Sequence, residues 1–378
     1  MSEAPRSCFL SHVFALRDPR QATKVLYPLP EILLLLLCAT IAGADDFVGI
    51  ALWGEDHLDF LRRWHPYKRG IPSHDTLCDV IAALDHEQFK ACFAAWASEW
   101  RDDGPEHIAI DGKTSRRSHD RARGRPPLHT VSAWASRQCL VIGQEAVAEK
   151  SNEITAIPLL LQRLDLKGAL VTIDAMGTQV AIAQAIVEGG GDYVLSLKEN
   201  WPATYAAVEA VFTDPAPEVT IHRDKEKVEG DHGRIETRRH AICHDVDWLF
   251  SQRRYPGEFR FPGLAAIGMV ERETERRGTV ERETSYYLCS NRFDVDTFAR
   301  AVRGHWSVEN NLHWILDVLF DDDQARLRTD HGPANMAIIK HAALNFLGQA
   351  TDRLSMRKRR ARAAWSNDYL LRIIRRAA

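Results

Sequence analysis

The chain has 378 residues, enough for two or three domains, with 45% hydrophobic and 27% charged residues. That composition excludes a disordered, collagenous or disulfide-framework protein, and a formal net charge of −3 excludes a uniformly basic surface. Seven cysteines, scattered and never in a CxxC pair, fit reduced thiols in a cytosolic protein rather than a zinc ribbon. The apolar run Ile32–Ala44 is too short to span a bilayer, and no signal-peptide pattern precedes it, so a cytoplasmic protein is expected.

Positive charge is local. From Arg326 onward there are twelve Lys/Arg against three Asp/Glu, and Lys113–Arg125 carries six against one. The first 106 residues reverse this, with ten basic and sixteen acidic. Clustered cations of this kind are either a solvated surface or the footprint of phosphate contacts.

Residues 10–100 read as helical. Pro30 opens a helix through Leu33–Leu37 to a stop at Gly43, and Ser73 caps an amphipathic helix carrying Leu77, Val80, Ile81 and Leu84. A further helix, His86–Trp100, buries Phe89, Phe93 and Trp96; the pair is either a helix-turn-helix or plain helical packing. The texture then changes to short strands at His107–Asp111, Leu128–Ala135 and Cys139–Val147. The helix Glu153–Leu164, strand Ala169–Asp174, helix Thr178–Glu188 and strand Tyr193–Leu197 follow. Three strands followed by helix-strand-helix-strand is the order of a ribonuclease H-like α/β fold, whose first and fourth strands are neighbours. Residues 215–290 read as a β-rich insertion with runs at Glu218–His222, Arg234–Ile242, Leu264–Glu271 and Ser285–Cys289. Helices close the chain, one bearing Glu309 and another running from Pro333 to Leu354. The expected domains are a helical 1–104, a catalytic 105–350 with its insertion, and a basic tail 351–378.

Three acids stand in distinct settings. Asp111 ends the run Ile108-Ala109-Ile110, Asp174 ends Ala169–Ile173, and Glu309 lies on a helix. Each alone is an ordinary turn, cap or surface residue. Two carboxylates on adjacent strands with a third on a helix can hold a pair of Mg²⁺ ions, because hard cations take oxygen ligands, and such a pair suits attack on a phosphodiester. His305, Glu309, His313 and Asp317 share one helix face, but the HExxH spacing of zinc hydrolases is absent. Trp134, Trp306 and Trp314 read as core residues, Trp306 beside Glu309 being the one candidate exception for base stacking.

The segments AIDGKTSRRS (109–118), VTIDAMGTQ (171–179), DYVLSLKEN (192–200), HGRIETR (232–238) and RGHWSVENNLHWILDVLFDDDQARLR (303–328) resemble transposases of the ISAs family of insertion sequences, which includes the H-repeat-associated proteins. DPR (18–20), YPLPEILL (27–34) and GIPSHDTL (70–77) resemble the helical region preceding that family's core. The resemblance covers about residues 9–350. It implies a DDE transposase with a ribonuclease H-like core, a β-rich insertion, and the catalytic and metal-binding triad Asp111, Asp174 and Glu309. It further implies two Mg²⁺ ions (Mn²⁺ substituting), terminal inverted repeats and target DNA as partners, and a homodimer on nucleoid DNA. The neighbouring pattern Tyr-x₂-Arg-x₃-Glu-x₆-Lys falls on Val302, His305, Glu309 and Leu316, so only Glu matches, with Arg303 and His305 the nearest basic substitutes. Lys113, Lys198, Arg116 and Arg117 are further candidate phosphate contacts, and Arg116–Arg125 and Arg353–Arg376 candidate backbone binders. A ribonuclease H-like nuclease that cuts without joining, and a DNA-binding protein that has lost its chemistry, are the alternatives.

Overall fold

Helices begin where the sequence supplies a cap or a proline. The computed structural model describes residues 9–13, 15–102, 104–120, 123–148, 151–224, 226–231, 234–251, 260–276 and 278–376; Cys8, Arg121, His232 and Gly233 fall outside them. Pro30 stands in the first turn of the helix Leu29–Ile41, where a missing N–H costs nothing. Ser73 and Asp85 each accept a backbone N–H at the start of helices His74–Ala83 and His86–Ser98. Leu29–Ile41 is buried along almost its whole length and packs on the helix Gly332–Gly348. No helix among the described residues is long and apolar enough to cross a membrane.

Among the described residues the strands are β1 His107–Ser115, β2 Leu128–Ala135, β3 Leu140–Ala146, β4 Leu170–Ile173, β5 Asp192–Leu197, β6 Ile221–Arg223, β7 Lys227–Asp231, β8 Arg234–Cys243, β9 Ala266–Arg276 and β10 Thr279–Cys289. The chain separates into two compact units, one of Met1–Gly104, Gly112–Ser151 and Glu309–Ala378, the other of Pro105–Asp111 and Asn152–Val308.

In the first unit β2 and β3 form an antiparallel hairpin, with β2 beside β1. Its core is aromatic, with Trp96 against Phe9 and Phe346 at ring-centroid distances of 4.8 and 5.1 Å. Two buried asparagines fix the helix Gly332–Gly348. Asn335 donates to Ile81 O and Leu84 O and pairs with His86, while Asn345 bonds both N and O of Val141 on β3. A buried amide satisfied this fully specifies one docking geometry.

In the second unit the strand order is β1-β4-β5-β10-β9-β8-β6, with β7 also on β8. β1, β4 and β5 are parallel, and β10 joins β5 antiparallel, so the expected insertion continues the sheet from its edge. Helix Val295–Val308 lays Phe298, Ala301 and Val302 on Val194, Ile242 and Val270. Gly268 permits this approach, since a Cβ there would stand 2.3 Å from the Phe298 ring. The order 3-2-1 in one unit and 1-4-5 in the other is that of a ribonuclease H-like core, here with a large, mostly antiparallel sheet and a helical N-terminal region.

Several elements differ from the sequence expectation. β1 does not stop at Asp111 but runs on to Ser115, with Thr114 Oγ1 and His129 Nδ1 of β2 2.7 Å apart. β9 and β10 reach well beyond their apolar halves. Their charged ends pair across the hairpin, Arg272 with Glu283 and Arg282 with Glu273, which replaces the missing hydrophobic alternation. The helix Pro202–Thr213 and strand β7 were not expected. Residues expected as a basic tail form helices Met356–Trp365 and Asn367–Arg376. Trp134 is core, whereas Trp306 and Trp314 are 54% and 56% exposed, the continuous helical period there being interrupted by a π turn.

Candidate active site

β1 and β4 run in register through Ile110 opposite Ile173. The next residues are Asp111 and Asp174, so parallel pairing sets these two positions next to each other in the backbone just beyond the last pair. Asp111 therefore lies within its strand, where pairing with β4 ends, rather than at the strand's end.

The segment after Asp174 is tied down by its own motif. Gly177 N donates to Asp174 Oδ1 at 3.2 Å, and Gly177 is required there because a Cβ would lie 2.3 Å from Ile173 Cγ2. Thr178 Oγ1 donates to Ser196 O, Asn200 Nδ2 to Ala175 O, and Trp201 Nε1 to Thr178 O. The segments following β4 and β5 thus hold each other, and exposed Lys198 is carried beside them. Burial pushes the Asp174 carboxyl above the usual carboxylate range, and neighbouring Glu153 adds to this; the Gly177 and Met176 N–H groups and Lys198 oppose it. A carboxylate desolvated in this way is one that a cation would stabilise.

Helix Val295–Val308 is seated on these strands by His305 together with two residues, Thr172 and His107, that sequence reasoning did not single out. Thr172 of β4 meets two imidazoles through one hydroxyl, His107 Nε2 at 2.8 Å and His305 Nδ1 at 3.0 Å. One hydroxyl has a single proton, so at least one ring must donate and the two tautomers are coupled. Burial, with His305 nearby, holds His107 down at about 4 and so neutral near pH 7. Gly304 makes the approach possible, since a Cβ would stand 2.5 Å from His107 Nδ1. The Gly-His pair in RGHWS was the available signal. His305, expected as a DNA contact, holds the helix to β4. Arg303 is exposed on the same helix, with Nη2 2.8 Å from Glu229.

Glu309 opens the π turn Glu309–His313 in the first unit, a helical irregularity often found at functional sites. Its Oε2 is 2.9 Å from Nδ1 of buried His313. Burial keeps the His313 imidazole below its ordinary pKa, against the raising influence of Glu309.

In that unit Lys113 lies 2.5 Å from Asp317 and 3.7 Å from Asp323, while Arg116 reaches Asp323 at 3.3 Å and Arg117 is exposed. Behind them Asp322 accepts from Ser115 Oγ at 2.6 Å and Lys340 Nζ at 2.8 Å, all buried. Burial alone would raise the Asp322 carboxyl, but Lys340 and the hydrogen bonds from Lys340 and Ser115 hold it below its usual range. Lys340→Met strands the Asp322 charge, and chemical denaturation should show a loss of about 3–5 kcal/mol. Adding Asp322→Leu should recover most of that loss; no recovery would mean the pair itself is not what the fold depends on.

A ribonuclease H-like core, with Asp111 and Asp174 each following the last in-register pair of β1 and β4, sets the frame for the comparison with known proteins. A family model described as "Transposase DDE domain" matches residues 80–346, and one described as "DDE_Tnp_1-associated" matches residues 10–97. The chain belongs to the DDE transposase family. It is 37% identical over 371 residues to the H repeat-associated putative transposase YhhI of Escherichia coli (strain K12), covering 97% of each chain. It is 36% identical over 371 residues to the putative protein YbfL of the same strain, again with 97% of each covered. The solved piggyBac transposase synaptic complex with hairpin DNA is similar at a TM-score of 0.43 and 10% identity, covering 96% of this chain and 78% of that one.

Proposed function

We propose that this transposase cuts the ends of an insertion sequence and joins the freed 3′-hydroxyl to target DNA, using Asp111, Asp174 and Glu309 to hold two divalent ions. Mg²⁺ is the expected ion and Mn²⁺ a substitute. The observation that carries this reading is the β1–β4 register, which sets Asp111 beside Asp174. The donor set fits the ions: the ligands are hard oxygens, and Asp174 is a desolvated carboxyl whose charge a cation would offset. The ions, when bound, lower the pKa of the attacking hydroxyl and stabilise the leaving oxygen.

The protein's own groups position the reactants. Asp111 and Asp174 bind from a rigid parallel sheet, which fixes their spacing better than a loop would. His313 orients the Glu309 carboxylate through its Nδ1 contact. The Thr172–His305 contact and Gly304 seat the helix that leads into Glu309. Lys198, Arg116, Arg117 and Arg303 meet phosphates of the terminal inverted repeats and target, while Lys113 braces its own unit through Asp317 and His305 braces its own through Thr172. Phosphate contacts supply affinity rather than sequence, and two subunits acting as a homodimer would pair the two ends.

The test incubates purified protein with a duplex carrying the native element's end, in Mg²⁺, Mn²⁺ or EDTA. Metal-dependent nicking at the end, followed by joining to a second duplex, is expected. Cutting without joining would identify a nuclease. Tight binding with no cutting in either metal would identify a binding protein without chemistry.

A further inference from the structure

We propose that helix Met356–Trp365 is a DNA-backbone surface, in which Arg357, Lys358 and Arg362 contact phosphates and Trp365 packs against the nucleic acid. This rests on the reading of DNA as the partner. Residues 353–376 carry nine Lys/Arg and one acid, Asp368, in a chain whose net charge is −3. The structure sorts these cations into two sets.

Arg359 and Arg360 face inward and act as anchors. Arg359 donates to Leu347 O and Gly348 O at the end of helix Gly332–Gly348, where a cation suits the helix dipole, and to Asp352. Arg360 pairs with Asp45, donates to Thr40 O at 3.2 Å, and lies 4.4 Å from the Phe320 ring. With buried Ala363 they form an inward stripe at helical spacing. Arg357, Lys358 and Arg362 are left on the exposed side, and Trp365 ends it at 84% exposure. The neighbouring helix Asn367–Arg376 adds exposed Arg372 and Arg375. Tyr369 holds the Arg362 and Arg372 guanidinium groups 4.7 and 5.4 Å from its ring.

A solvated cationic face alone is commonplace. A face held by its own inward-turned arginines, bearing a bare indole and almost no acid, matches a polyanion with aromatic bases. Phosphates take the cations and the indole supplies a stacking or groove contact of no sequence preference.

The experiment uses the full chain and measures affinity for the end duplex and a scrambled duplex from about 50 to about 300 mM KCl. Replacing Arg357, Lys358 and Arg362 together by Gln should lower the salt slope of log Kd by about three for both duplexes, leaving their ratio unchanged. Trp365→Ala should weaken binding about three- to tenfold with the slope unchanged, because no charge is lost. Wild-type affinity and slope in the folded triple variant would overturn the proposal. A sedimentation shift of the DNA-free variant with unchanged DNA binding would overturn it too, assigning the face to a second copy of the chain. Arg116→Gln with Arg117→Gln is the comparator. If only that pair lowers the slope, this surface fails while DNA binding stands; if wild-type protein binds neither duplex, the DNA reading itself fails.

Discussion

Asp174→Asn should leave DNA-end binding at wild-type strength while slowing cleavage by about 10³-fold or more. A divalent-ion site contributes several kcal/mol of transition-state charge stabilisation, and each 1.36 kcal/mol is a factor of ten. Asparagine has the shape of aspartate, and its Oδ1 can still accept the Gly177 N–H at the turn. The variant therefore removes charge without removing structure. Burial already disfavours the Asp174 carboxylate, with Glu153 adding like charge, so the neutral amide should melt no lower than wild type in EDTA. Mg²⁺ should raise the melting temperature of wild type and not of the variant, because only a protein that binds the ion is stabilised by it. Cleavage at the wild-type rate by the variant would remove Asp174 from the site, and an equal Mg²⁺ shift in both proteins would place the ion elsewhere.

The second large effect is expected at Gly304. Alanine there puts a carbon 2.5 Å from His107 Nδ1 and 2.7 Å from its Cε1. The imidazole cannot retreat without giving up Thr172, to which it is held at 2.8 Å. Overpacking of this kind costs about 1–3 kcal/mol. The cost in cleavage should be larger than the cost in stability, because the displaced helix runs directly into Glu309. His107→Ala opens the space, so Gly304→Ala in that background should be far less harmful than in wild type. Denaturation and cleavage rates for the four proteins of this cycle give the coupling directly. Additive losses would mean that Gly304 and His107 are not coupled and that the seat on β4 does not depend on their close approach.

Much of the fold around these residues was legible in the chain because its signals are local. An apolar run followed by aspartate, repeated on β1 and β4, suffices to propose Asp111 and Asp174 as neighbours once parallel pairing is assumed. The cap Ser73 and the proline at position 30 act within a turn of their own helices, and each stands where expected. The DDE family assignment likewise rests on contiguous motifs.

Other features depended on partners far along the chain. Lys113 reads as a phosphate contact until the fold brings Asp317 and Asp323 to it. The run Arg357–Arg360 reads as uniform charge, yet helical phase turns Arg359 and Arg360 toward Asp352 and Asp45 and leaves Arg357 and Lys358 outside. β9 and β10 extend through charged residues because each faces an opposite charge on the other strand, which no single-strand pattern reveals. By itself the sequence determined the capped helices, the apolar strand runs of the core and the acids that follow them, because capping, propensity and periodicity act over a few neighbouring residues. Only the tertiary structure decided which charges are neutralised inside, why Gly304 and Thr172 matter, and where the π turn opens at Glu309, because ion pairs and close approaches are set by residues brought together across the chain.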